Sequence, residues 1–218
     1  PDLLIGCPAE LIAANGMDAL TQLVESWTSL RANPFTDALA LSGLEAARNG
    51  LLPWYENAGG PAEITEAPRS RMAYASLISG ITLAQVGLGA VHGLASPLGA
   101  FFPIPHGVVC GTLLAEATDI NIRAMRERDR HNPALARYAR LAEILLETPL
   151  RDPEQGWTLL VGRLRAWSEH LQLPRLSAYG IGEGDLDHIV AHSRGSSMRT
   201  NPIELTDAEL REILERRL

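Results

Sequence analysis

Apolar residues recur every three to four positions along most of the chain, and Pro- and Gly-rich breaks separate the stripes. After an apolar lead-in the chain is expected to turn helical past Pro8, and Gly16-Met17-Asp18 enters a helix whose Leu20, Leu23, Val24, Trp27 and Leu30 share one face. Asn33-Pro34 breaks it, and Thr36 or Asp37 can cap a second helix carrying Leu41, Leu44, Ala47 and Leu51. Residues 57–68 (NAGGPAEITEAP) read as a loop. Residues 72–91 carry no charge and predict one helix buried at the centre of a helical domain. Its Ser76, Gly80, Ala84 and Gly87 would let neighbours approach closely. Residues 107–116 predict a second buried helix. Residues 118–140, interrupted at Asn132-Pro133, read as a solvated helical face because arginines alternate there with Glu127 and Asp129. A helix then runs over 135–146, and another starts at Asp152-Pro153 with Leu159, Leu160, Leu164 and Trp167 inward. A further one covers 185–193, and Thr206-Asp207-Ala208-Glu209 caps the last. No strand or repeat period emerges, so eight to ten helices in an all-α domain spanning residues 1–218 are expected.

By length, residues 72–91 could cross a bilayer. Ser76, Ser79, Thr82 and Gln85 make the segment too polar for that reading, so no membrane partner is expected. The formal charge of −7 argues against a general affinity for nucleic acid. All 19 basic residues are arginine, which excludes Schiff-base, P-loop and kinase lysines. Two cysteines, Cys7 and Cys110, make no disulfide framework, and with no signal peptide in view a cytoplasmic location is expected. The start at Pro1, without an initiator Met, suggests a piece of something longer.

Candidate chemistry concentrates between His92 and His106. Pro97, Pro103 and Pro105 lie in or next to that interval, so the sequence predicts one helix ending near His92, a tight apolar turn, and a second helix starting near His106. Two imidazoles at facing helix ends can hold a divalent metal if a carboxylate joins them. A core histidine bonded to a backbone carbonyl fits the apolar frame equally well, and spacing alone leaves both readings open. Asp18 and Gln22, four apart, share a helix face beside the apolar stripe. His188 and His192, also four apart and near Asp185 and Asp187, have zinc-ligand spacing, although a polar helix face often pairs histidines by chance. His131 and His170 sit in charged surroundings that suit surface roles. The glycines of residues 180–184 follow no strand and read as a turn.

Gly16-Met17-Asp18-Ala-Leu-Thr-Gln22-Leu-Val-Glu25, Gly89-Ala-Val-His92-Gly-Leu-Ala-Ser96-Pro-Leu-Gly99, Pro105-His106-Gly107, Leu113-Leu114, Asn121 and Arg199-Thr-Asn201-Pro202-Ile-Glu-Leu-Thr206 together resemble the iron-containing (group III) alcohol dehydrogenases. The likeness runs nearly end to end but covers only that family's helical C-terminal domain; its N-terminal dinucleotide-binding domain is not in this chain. The resemblance implies a metal site with Asp18, His92 and His106 at three ligand positions and Gln22 where the usual iron site has a fourth, histidine ligand. It also places Ser96 at the position of a histidine tied to proton relay. Related glycerol dehydrogenases manage with Asp and two His, usually with zinc. The implied cofactors are therefore iron or zinc, and NAD or NADP through the missing domain. The implied substrate is a small alcohol or carbonyl compound, and self-association through the face left uncovered is expected. A second reading is a non-catalytic helical descendant, with a degraded site, that serves assembly or small-molecule binding.

Overall fold

Nine α-helices and no strand make up the computed structural model, which describes residues 1–218. They are α1 Ala9–Thr28, α2 Pro34–Glu56, α3 Ala62–Val86, α4 Ala90–Phe101, α5 His106–Arg128, α6 Pro133–Leu146, α7 Pro153–His170, α8 Leu186–Ala191 and α9 Asp207–Glu215. Short 3-10 turns at Asp2–Leu4, Leu176–Tyr179, Glu183–Asp185 and Met198–Thr200 fill the connections. The all-α expectation holds. Helix starts follow capping chemistry. Asn33, not Thr36 or Asp37, caps α2, accepting from the Phe35 and Thr36 amides. Asp152 caps α7, and Thr206 with Glu209 forms a reciprocal box at α9.

Helix α5 is buried along nearly its whole length, and α1, α4 and α7 pack around it. One continuous cluster of 55 buried apolar residues includes members of every helix from α1 to α9, so each packs into a shared core. Gly107 allows the closest approach of α1 to α5. A Cβ there would stand 2.5 Å from the Ala14 carbonyl oxygen.

Several expectations need correction. Residues 72–91 are not one helix: α3 ends at Val86, and the chain turns 100° into α4. No single helix is long and apolar enough to cross a membrane. Nor is α3 buried all round. Met72, Ala75, Ile78, Ser79 and Thr82 face the core, whereas Ser76, Gly80 and Ala84 lie on an exposed face with Tyr74, Leu77 and Ile81. The predicted loop over 57–68 is shorter, because α3 begins at Ala62 and carries Pro68 within it. Gly50 makes room for the Pro68 backbone, whose carbonyl oxygen would lie 2.9 Å from any Cβ at that position.

The break between α3 and α4 is held by distant parts of the chain. Gly87 adopts φ 73°, and the Thr200 hydroxyl lies 2.5 Å from where its Cβ would be, so only glycine fits. Ser29 at the end of α1 donates to the Val86 carbonyl at 2.7 Å, and Thr200 donates to that of Leu88 at 2.6 Å. The predicted turn from His92 to His106 thereby shrinks to residues 102–105, and His92 sits in the first turn of α4, at the start of a helix rather than where one finishes. Pro97 lies inside α4. Burial of Leu94, Ala95 and Leu98 against the core offsets the backbone hydrogen bond it cannot donate.

Candidate metal centre

Asp18 comes from the middle of α1, His92 from the first turn of α4, and His106 and Cys110 from the first residue and second turn of α5. One potential ligand atom from each of these four lies within 4.8 Å of all the others. His92 Nε2 is 3.2 Å and His106 Nε2 3.7 Å from Asp18 Oδ1. Cys110 Sγ is 3.6 Å from His92 Nε2 and 3.5 Å from His106 Nε2. No other group of three or more His, Cys, Asp or Glu side chains has this geometry. His92 is buried, whereas the His106 side chain is 55% exposed, so the cluster is open on the His106 side.

Glu25, two turns beyond Asp18 on α1, orients His92. Its Oε2 sits 2.6 Å from His92 Nδ1, and its Oε1 accepts the Val91 amide at 2.7 Å. A carboxylate at this site accepts only, so Nδ1 carries hydrogen and Nε2 is the nitrogen presented to Asp18 and Cys110. Asn201 supports the same turn. Its Oδ1 accepts the Ala90 amide at 3.0 Å, while its Nδ2 donates to Asn121 Oδ1 at 2.7 Å. Two of the orphan amides at the start of α4 are thus taken by side chains of α1 and of the segment after α8. A Cβ on Gly89 would meet both, at 2.8 Å from Asn201 Oδ1 and 2.9 Å from Glu25 Oε1.

Electrostatics follow from crowding. Burial works to lower the His92 pKa, but the Glu25 charge and hydrogen bonds to Asp18, Cys110 and Glu25 push it up to about 12. For Asp18, burial raises the pKa, but the His92 hydrogen bond and the charges of His92 and His106 hold it below its ordinary value. Burial pushes the Cys110 thiol up to about 12 despite the neighbouring His92.

Donor chemistry and spacing both suit a divalent transition metal. A tetrahedral cation with bonds of about 2.0–2.2 Å to oxygen and nitrogen sets such donors roughly 3.3–3.6 Å apart. The two separations between Asp18 and the imidazoles, 3.2 and 3.7 Å, bracket that range. Gln22 lies alongside. Its amide nitrogen donates to Asp18 Oδ1 at 3.1 Å, and its oxygen accepts from Ser79 at 2.7 Å. Ser96 is exposed one turn beyond His92 on α4. Next to the cluster, a cleft of about 470 Å³ joins Asp18, Gln22, Ser76 and Ser79 to an apolar wall that includes Leu11 and Trp54. A second cleft, of about 500 Å³ among Arg123, Arg126, Arg130 and Trp157, lies away from the cluster and is walled by paired charges.

The other sequence candidates do not gather ligands. His188 and His192 stack at 4.5 Å between ring centroids, with Phe101 against both. No carboxylate joins them, because Asp187 pairs with Arg211 and Asp185 accepts from the Gly182 amide. His170 bonds Glu56 at the surface. Sequence reasoning gave no role to Glu25 or Cys110. The available signal was helical spacing: Glu25 is seven residues after Asp18, and Cys110 is four after His106.

Residues 12–218 match the family model described as Fe-containing alcohol dehydrogenase family, C-terminal. Alcohol dehydrogenase 4 of Schizosaccharomyces pombe is 32% identical over 227 residues, a match covering 99% of this chain and 47% of that protein. The 1,3-propanediol dehydrogenase of Citrobacter freundii is 32% identical over 216 residues, covering 98% of this chain and 52% of that protein. Among solved structures, a 1,3-propanediol oxidoreductase superposes with a TM-score of 0.89 at 29% identity, covering 100% of this chain and 54% of that one. An alcohol dehydrogenase from Oenococcus oeni gives 0.87 at 27% identity, covering 100% and 53%. The chain thus spans about half the length of the relatives it matches.

Proposed function

We infer that this chain, which belongs to the Fe-containing alcohol dehydrogenase family, is the metal- and substrate-binding part of an NAD(P)-dependent alcohol dehydrogenase or carbonyl reductase. The observation that carries the reading is the convergence of Asp18, His92 and His106, from three separate helices, on one point beside a cleft. A divalent cation held by those three residues, iron or zinc, would supply Lewis acidity for an alcohol or carbonyl oxygen during hydride transfer with nicotinamide.

The residues of the chain divide the remaining work. Glu25 fixes the tautomer and ring plane of His92, and Gln22 steadies Asp18 through its amide. The cleft, with an apolar wall and a few polar groups at one end, suits a small alcohol or its carbonyl product. Ser96, exposed and one turn from His92, can pass a proton through its hydroxyl but cannot act as a base near neutral pH. The relatives' other half, about as long again as this chain, is the proposed source of dinucleotide binding. It is also the proposed cover for exposed apolar side chains such as Leu11, which lines the cleft, with self-association the other way to cover them.

Metal analysis of the chain reconstituted with iron or zinc under reducing conditions tests the site directly. About one ion per chain is expected, with binding lost in His92→Ala and His106→Ala. No uptake, or uptake that neither substitution changes, would overturn the reading. Oxidation of small alcohols is expected only when the dinucleotide-binding half is present.

A further inference from the structure

The structure assigns Cys110 as the fourth protein donor of the cation site and makes Gln22 a positioning residue for Asp18. This inference rests on the metal site proposed above and deepens it. The argument is one of distances. For bonds of about 2.3 Å to sulfur and about 2.0–2.1 Å to nitrogen, a tetrahedral centre places sulfur roughly 3.5–3.6 Å from each nitrogen. Cys110 Sγ lies 3.6 Å from His92 Nε2 and 3.5 Å from His106 Nε2. Both edges that sulfur forms with imidazole therefore match a tetrahedron, as do the two edges from Asp18 within a few tenths of an ångström.

Side-chain direction supports the same assignment. Cys110 is fully buried on a helix surrounded by aliphatic residues, yet its thiol turns toward two imidazoles. It stands one helical turn after His106, so the pair forms an i, i+4 arm of the kind that can grip a single ion. Gln22, in contrast, has its amide engaged on both sides, by Asp18 and by Ser79. Sulfur from α5 thereby stands where a fourth donor is needed, and the amide on α1 acts through Asp18.

A thiolate changes which metal the site prefers. Sulfur is a soft donor and favours zinc, or cobalt as its spectroscopic substitute, over ferrous iron. Coordination replaces the thiol proton, which leaves to solvent, with one metal–sulfur bond. Four protein donors would fill a tetrahedral cation, so a substrate oxygen would have to enter as a fifth donor, an expansion that catalytic zinc sites undergo in the transition state.

The test is an anaerobic titration of the metal-free, intact chain with cobalt(II), followed in the near ultraviolet where thiolate-to-cobalt charge transfer absorbs. The expected result is a band that saturates at one equivalent. Cys110→Ser should still take up cobalt but lose the band, with zinc affinity reduced at least about tenfold, and Gln22→Ala should keep the band. X-ray absorption of the zinc-loaded wild type, which needs no variant, should show one sulfur at about 2.3 Å. Cobalt uptake without the band, or a zinc shell without sulfur, overturns the assignment of Cys110 and leaves the three-residue site standing. Failure of the wild type to take up cobalt or zinc at all overturns both.

Discussion

Glu25 carries two tasks with one carboxylate: one oxygen takes the Val91 amide and the other holds His92 Nδ1. Removing it leaves a buried amide and a buried ring nitrogen without their acceptor. It also frees His92 to rotate away from Asp18. Partners of metal-bound histidines of this kind typically change affinity by about 10–100-fold when lost. Glu25→Gln is therefore expected to weaken zinc binding by about that factor in a competition titration with a chromogenic chelator, while far-ultraviolet circular dichroism stays helical. The difference between Glu25 and Asp18 also shows what a sequence exposes at this scale. The resemblance to the iron-containing alcohol dehydrogenases singles out Asp18, His92 and His106, which spacing alone leaves open to a core-histidine reading. Glu25 and Cys110 have ordinary helical spacing, and only the packing of α1 and α4 on α5 gives them something to face.

At the scale of the helix, the decisive feature is the start of α4. Its first amides are taken by Asn201 and Glu25, and the bend before it is held by Ser29 and Thr200. Thr200 and Asn201 lie more than a hundred residues further along the chain than that bend. For this reason the uncharged run over residues 72–91 reads as one helix: no local signal can show that a threonine hydroxyl occupies the space beside Gly87. Asn201→Ala leaves the Ala90 amide and the Asn121 side chain short of a partner in a buried site. The expected cost is about 1–3 kcal/mol, read as a lower urea midpoint with an unchanged slope. Gly107→Ala tests the other close approach, since its methyl would press on the backbone of Ala14, which cannot swing aside like a side chain. Separation of α1 from α5 should lower stability by about 1–3 kcal/mol, and it should weaken metal binding as well, because those two helices carry three of the four clustered residues.

Across the whole molecule, the absence of lysine noted in the sequence becomes a network of forked arginine pairs that fastens α9 to α5. Arg123 and Arg216 both bond Glu212, Arg216 also reaches Glu116 and Asp119, and Arg128 grips Glu209. Composition predicts that the pairing partners must be arginine, but it cannot say which carboxylates they meet. Hydrogen bonds from Arg123, with those of Arg216, hold Glu212 down to about 2 from 4.5. Glu209 and Glu116 are lowered as well: burial opposes the shift, and Arg128 outweighs it for Glu209, Arg165 and Arg216 for Glu116. A depressed carboxylate contributes stability that is fully present above its unfolded pKa and is lost as pH falls through the folded one. The thermal midpoint of the metal-free chain should therefore stay nearly flat from about pH 6 to about 5, then fall steadily from about 4.5 toward 2. His92 adds no slope in that window, because its raised pKa keeps it protonated in the fold throughout, and its contribution declines only above about 6.5. Glu212→Gln should lower the midpoint at pH 7 and make the acid decline shallower, since one of the titrating carboxylates is gone. An equally steep decline in that variant would mean that the arginine network is not what acid dismantles.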